Sequence, residues 1–196
     1  MIIGITGTLC AGKGTVVEYL EKEKGFKHFS VSRYLTDELE KRGTPVNLDT
    51  LISIGNEIRA THSPSFIAEE LAKEALSYKG NCVIESLRCE AEINVVRGIC
   101  KGVILAVDAD IEKRHKRSLL RKGEKDNLSF DEFVKREEKQ WQSTDPNKQN
   151  LKRCIEMADY KIMNDGTKKE LHLAIEQVFS NISLLEKPST IRERGN

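Results

Sequence analysis

The sequence predicts an α/β protein with three layers, α/β/α, around a five-stranded parallel sheet. Three observations carry that expectation. A glycine-framed loop, Gly7-Thr8-Leu9-Cys10-Ala11-Gly12-Lys13-Gly14-Thr15, joins an apolar run to a helical one. Short β-branched runs alternate with longer stretches of helical periodicity, as in sheets covered on both faces. Two of those runs, Cys82-Val83-Ile84-Glu85 and Val103-Ile104-Leu105-Ala106-Val107-Asp108, are apolar until they end in acids. Strands buried on both faces read this way.

Taken in order, Ile2-Ile3-Gly4-Ile5 is the first strand, and Val16 to Glu21 begins the first helix after the loop. Lys27-His28-Phe29-Ser30-Val31 is the second strand. A helix-rich insertion runs from Arg33 to about Tyr78, in which Ser63 reads as a cap and Pro64 as a first helical residue. Ile67, Leu71 and Ala75 give its last helix an apolar stripe. The runs ending at Glu85 and Asp108 are the third and fourth strands. Asp110 reads as the cap of a helix starting near Ile111, and Gly123 with Asp126-Asn127 as a turn after it. Ser129 with Glu132, and Thr167 with Glu170, are capping boxes opening two further helices. Tyr160-Lys161-Ile162-Met163 is the fifth strand, and Asn164-Asp165-Gly166 turns out of it. Residues 1–185 are thus expected to form one domain, with an insertion at about 33–78 and a small lid at about 111–140. The polar ending, 186–196, is expected to fray.

Bulk properties narrow the function. Charged residues make up 32% of the 196 but nearly cancel, at a formal net charge of +1. A protein that coats nucleic acid is therefore not expected. The five cysteines, Cys10, Cys82, Cys89, Cys100 and Cys154, show no Cys-x-x-Cys spacing, and the four histidines are scattered. This argues against a zinc site and for a reducing, cytoplasmic setting. No apolar stretch approaches the roughly 20 residues of a membrane span, and no secretion signal is read at the start. A monomer or small homo-oligomer is expected.

The loop implies a bound nucleotide. Glycines let the backbone wrap a polyphosphate, and its amides point at the oxygens from the positive end of a helix. Lys13 adds a cation for the β- and γ-phosphates. Gly14 stands where Ser or Thr commonly holds magnesium, so the candidate metal-side hydroxyl is Thr15, one residue later. Cys10 reads as a small tolerated residue or a redox-sensitive thiol. Ligands of such sheets gather beyond the carboxyl ends of the strands, which singles out Glu85, Arg88 and Asp108. Glu85 could order magnesium-bound water or an acceptor hydroxyl, and Arg88 could grip an acceptor phosphate. The competing reading is a surface pair at a strand-to-helix turn. Arg114, Arg117 and Arg121 share one helical face. They read either as a lid closing over transferring phosphoryl oxygens or as a solvated basic face. Arg33 and Arg59, in the insertion, read either as acceptor ligands or as partners of acids such as Asp37 and Glu57.

Four stretches carry a family resemblance: residues 7–15, Ile-Gly-Asn-Glu-Ile-Arg at 54–59, Val-Ile-Glu-Ser-Leu-Arg at 83–88, and Ala-Asp-Tyr-Lys-Ile-Met-Asn-Asp-Gly-Thr at 158–167. Through them the chain resembles P-loop nucleotide kinases, especially the dephospho-coenzyme A kinase-like and deoxynucleoside monophosphate kinase-like proteins. The resemblance implies an ATP-dependent phosphotransferase with Mg²⁺ as cofactor and a small nucleotide acceptor. Lys13, Glu85, Arg117 and Arg121 would then be catalytic. ATP would bind on residues 7–15, Arg117, Asn164 and Gly166, and the acceptor on Arg33, Arg59 and Arg88. Two departures accompany it: Glu85 and Ser86 replace the Asp-Gly of the acceptor motif, and Val31-Ser32-Arg33-Tyr34-Leu35-Thr36 replaces the AMP-side Thr-Gly-Asp-x-x-Arg. A dephospho-coenzyme A hydroxyl is the second acceptor reading. A nucleotide-binding regulatory module without efficient catalysis is the rival from another class.

Overall fold

The first strand, β1 (Ile2–Gly7), is buried along its whole length, which places it in the middle of the sheet. In the computed structural model, which describes residues 1–120 and 128–185, five strands pair in the order β2-β3-β1-β4-β5. The others are β2 (Lys27–Ser30), β3 (Cys82–Glu85), β4 (Val103–Asp108) and β5 (Tyr160–Met163). All pairings are parallel. Arg121, the turn predicted at Gly123 and Asp126-Asn127, and the ending 186–196 lie outside the described residues.

Parallel neighbours require crossovers, and helices supply them on both faces. One core lies between the sheet and α2 (Val31–Lys41), α3 (Leu48–Thr61), α4 (Phe66–Tyr78), α5 (Glu90–Gly98) and α8 (Leu151–Met157). The other lies between the sheet and α1 (Lys13–Lys24) and α9 (Lys168–Leu185). The two-residue period of a strand divides β1 between these cores. Ile2 faces the first, while Ile3 and Ile5 face the second. Gly4 faces the first core, where a Cβ would stand 2.8 Å from both Ile104 and Leu87 side chains. On α9, buried Leu171, Ile175, Val178 and Ile182 make an apolar stripe, each contributing roughly 1.5–3 kcal/mol by leaving water. Two further helices, α6 (Ile111–Leu120) and α7 (Phe130–Trp141), pack on one another around fully buried Phe133.

Local expectations hold at several helix starts. Ser129 and Glu132 make a reciprocal box. Glu170 accepts from the Thr167 backbone and hydroxyl at 2.7 and 2.8 Å. The Asp110 carboxylate accepts from the Glu112 and Lys113 amides. Other boundaries differ: β1 runs on to Gly7 and α1 already starts at Lys13. The second strand stops at Ser30, because its side chain caps α2 by accepting from the Arg33 amide at 3.2 Å, and Val31 is already helical. The cap expected at Ser63 is displaced: α4 starts at Phe66 with Ser65 as its cap residue. The Phe66 amide donates to the Ser63 carbonyl, and the His62 ring stacks on Phe66 at 4.2 Å. Pro64 therefore sits inside the turn that this stack closes.

All carboxyl ends of the strands lie on one edge. The glycine loop leaves the central strand there, flanked by Glu85 on β3 and Asp108 on β4.

Candidate active site

Two glycines of the loop are required by space. Gly7 has φ +135°, and a Cβ would stand 1.9 Å from the Val107 carbonyl oxygen. Gly12 has φ +103°, and a Cβ would stand 2.3 Å from the Asn164 side-chain nitrogen. Gly14 differs: it is exposed, has no neighbour within 4 Å of a Cβ, and needs no left-handed backbone. Its position would admit a hydroxyl side chain that the sequence does not supply.

The loop is held from three sides. Asn164 donates from its side chain to the Ala11 carbonyl at 2.8 Å and from its backbone to Asp108 at 2.7 Å. The Thr8 hydroxyl donates to the Asp108 carboxylate. Arg114 donates to the Leu9 carbonyl at 3.3 Å and the Ala109 carbonyl at 2.8 Å while pairing with Glu137. Arg114 is 4% exposed, so it is a brace of the loop rather than part of an open basic face. Lys13 is buried too, and its Nζ donates to the Gly7 and Thr8 carbonyls at 2.9 and 2.7 Å. The ammonium is thus held against the loop it would serve.

Beside the loop lies a cavity of about 310 Å³, lined by Cys10, Gly12, Thr15, Arg117, Asn164 and Gly166 among others. The structure therefore brings the predicted donor residues from α1, α6 and the end of β5 to one place. Arg117 donates to the Asn164 carbonyl at 2.7 Å, and its buried Nη1 has no hydrogen-bond partner among the described residues. A buried unsatisfied donor costs roughly 1–3 kcal/mol, so a ligand acceptor atom there would be favoured.

A second cavity, about 40 Å³, opens on the β3 side of the loop. Its walls include Ser32, Arg59, Ser86, Arg88, Gln140 and Gln149 with an aliphatic side from α2 and α3. The segment after β3 is pinned to β1: the Thr6 hydroxyl donates to Leu87, and the Leu87 amide to Ile5. Ser86 adopts φ +72°, a left-handed conformation in the position where the acceptor motif has glycine.

The three predicted acceptor arginines have different environments. Arg33 is exposed and paired with Asp37 at 2.7 Å, and it does not line the cavity. Arg59 lines it but is neutralised: its guanidinium is bound to Glu92 at 2.7 Å, with the pair 1% and 0% exposed. Burial pulls the Arg59 pKa down, yet the Glu92 carboxylate outweighs it and the group titrates above the usual arginine range. Glu92 also accepts from the Arg88 amide at 2.6 Å, so this pair sets the backbone that presents Arg88. Arg88 itself makes no ion pair with any described acid. Its guanidinium donates to the Gln140 side-chain oxygen at 2.6 Å. Burial holds its pKa below the ordinary value, the signature of a cation whose charge is not met by an equal partner.

Glu85 accepts from the Ser30 hydroxyl at 3.1 Å and lies 4.0 Å from His28. No cluster of three or more His, Cys, Asp or Glu suited to a metal occurs among the described residues. Magnesium bound with a polyphosphate needs only one or two protein oxygens, the rest being phosphate and water. The oxygen set fits that demand: Thr15 at the cavity beside the loop, and the Glu85 and Asp108 carboxylates at the strand ends flanking the loop.

Sequence reasoning missed Glu92, Glu137, Gln140 and Gln149. Three of them lie far in sequence from the groups they serve. A signal existed for α7, where Phe133, Glu137 and Gln140 fall on one face at spacings of four and three.

A family model described as an AAA domain, AAA_17, matches residues 6–133. The UPF0200 protein PH1008 of Pyrococcus horikoshii is 29% identical over 189 residues, covering 93% of this chain and 97% of that protein. The UPF0200 protein of Thermococcus onnurineus is 27% identical over 188 residues, covering 93% and 98%. Among solved structures, TT1252 from Thermus thermophilus superposes with a TM-score of 0.59 at 20% identity, covering 93% and 97% of the two chains. Shikimate kinase from Aquifex aeolicus does so with a TM-score of 0.57 at 16% identity, covering 94% and 99%. At such identities the likeness is one of fold.

Proposed function

Because the chain belongs to the AAA domain family AAA_17 and has the fold of the P-loop kinases, we propose that it transfers the γ-phosphoryl group of ATP to a small anionic acceptor. The acceptor class we favour is a nucleoside or deoxynucleoside monophosphate. One observation carries this reading. A glycine phosphate loop and a half-buried arginine that pairs with no described carboxylate stand on the same edge of one sheet, each lining its own cavity. The first suits a polyphosphate donor and the second the anionic end of an acceptor.

In this reading residues 1–185 act as one unit, with 33–78 on the acceptor side and 111–140 as the lid. The loop amides and Lys13 hold the β- and γ-phosphates, and Arg117 meets donor oxygens with its unpartnered Nη1. Magnesium, held through Thr15 with Glu85 or Asp108, would neutralise phosphate charge when bound. Arg88 aligns the acceptor for in-line attack. A phosphate oxygen is already a competent nucleophile, so the chain need supply only position and charge. Phosphoryl transfer of this kind suits a protein working in a reducing, cytoplasmic setting, consistent with five free cysteines.

A hydroxyl acceptor such as dephospho-coenzyme A is the second reading. It is favoured by Glu85, a carboxylate at the sheet edge beside the loop that could take the hydroxyl proton. A coupled ADP-release screen across nucleoside monophosphates and dephospho-coenzyme A, with Lys13→Ala as control, tests both. We expect one acceptor class to stimulate magnesium-dependent ADP release and Lys13→Ala to abolish it. No stimulation by any acceptor would reject the kinase reading in favour of a nucleotide-binding regulatory module.

A further inference from the structure

Two guanidinium groups line the acceptor cavity, and the protein treats them in opposite ways. Arg59 has a carboxylate, Glu92, at 2.7 Å. Arg88 has a carboxamide, Gln140, at 2.6 Å. Gln140 is 1% exposed, so this contact is made in a desolvated place where charge matters most. The amide orientation is fixed by chemistry: a guanidinium only donates, so the Gln140 oxygen must face it. The Gln140 nitrogen points back into its own helix, toward the Arg136 carbonyl at 3.4 Å.

We infer that Gln140 is a positioning residue for Arg88: it aims the guanidinium without neutralising it, and thereby makes the cavity accept an anion. The inference rests on the acceptor reading above. A glutamate of the same size at 140 would aim Arg88 equally well. It would also form an ion pair, as Glu92 does with Arg59, and the acceptor's anion would have to compete with it. A neutral carboxamide leaves the other donors of the arginine fork without an ion pair to any described acid.

The same helix reaches the donor side. One turn before Gln140, Glu137 pairs with Arg114, which donates to the Leu9 carbonyl of the phosphate loop. Phe133, a turn earlier, is fully buried and has the Arg114 guanidinium 5.9 Å from its ring centre. The Arg88 backbone is tied at both ends, its amide to Glu92 and its carbonyl to the Asn150 amide. Through α7, then, the acceptor arginine is indexed to the donor loop by a single helix.

The test uses Gln140→Glu and Gln140→Met in the full chain, with calorimetric titration of AMP, GMP, CMP, UMP and their deoxy forms, and of ATP separately. We expect Gln140→Glu to weaken the monophosphate that wild type binds by a factor of about 10 to 1000, the range of a lost charge-assisted contact. Gln140→Met, which removes the bond but adds no charge, should cost about three- to tenfold. ATP affinity should stay within about twofold in both. In an Arg88→Ala background, Gln140→Met should cost nothing further, because the two act as one unit. Melting curves check that each variant is folded, and Gln140→Met carries the test if Gln140→Glu is not.

A Glu variant that binds the monophosphate as tightly as wild type, or a Met variant as weak as Glu, would overturn the inference. So would parallel losses of ATP and monophosphate affinity, which mark a merely structural role. If wild type binds none of the monophosphates, or Arg88→Ala does not weaken binding, the acceptor reading itself falls, and the inference with it.

Discussion

Replacing Gly12 by alanine puts the phosphate loop under a calculable load. The new Cβ would stand 2.3 Å from the Asn164 side-chain nitrogen, and the residue must keep φ at +103°. Holding an alanine in that conformation costs about 1–2 kcal/mol. Displacing Asn164 breaks its bond to Ala11, worth about 1 kcal/mol, and crowding adds a further 1 kcal/mol or so. The sum, about 3–4 kcal/mol, corresponds to a melting temperature lower by roughly 6–16 °C for a chain of this size. Asn164 also accepts from Arg117 through its carbonyl, so donor binding should fall with stability. Gly14→Ala is the matched control, since nothing lies within 4 Å of its Cβ. As a helical position, it should be stabilised by up to about 1 kcal/mol. Differential scanning fluorimetry with and without ATP reads both variants. If Gly12→Ala melts like wild type and gains the same stability from ATP, the described packing of Asn164 on the loop is wrong.

Three other outcomes are expected. Glu92→Gln leaves Arg59 buried without its carboxylate and should cost about 3–5 kcal/mol, visible as a lower urea midpoint. Arg117→Ala removes the unpartnered donor from the donor cavity and should raise the ATP dissociation constant about tenfold or more, with acceptor affinity unchanged. An unaltered ATP titration would remove Arg117 from the site. The pH dependence follows from Glu170, whose pKa is lowered by the Thr167 backbone bond and then the Thr167 hydroxyl. A carboxyl with a depressed folded-state pKa stabilises the fold above its ordinary value, and the benefit is lost as pH falls through the folded value. Melting temperatures of wild type and Glu170→Gln should therefore differ at neutral pH and converge on acidification. A gap that stays constant with pH would contradict the capping box.

What the sequence alone determined is local or periodic. The glycine loop between strand and helix, the apolar runs of β3 and β4, and the caps at Asp110, Ser129 and Thr167 each depend on residues within a turn or on a repeat of two or four. Such features are legible because the groups that satisfy one another are neighbours along the chain. The choice among charged side chains was not legible. Arg33, Arg59 and Arg88 look alike in the sequence, yet one pairs on the surface with Asp37, one is neutralised by Glu92, and one is met by neutral Gln140. Arg114 and Arg117 share a helical face, but one braces the loop backbone and the other borders the cavity beside the loop. Those assignments depend on which groups leave water together, and strands and helices far apart in sequence decide that only when they pack. A charge in water has many equivalent partners. Once desolvated, its partner is set by the few side chains that share its cavity.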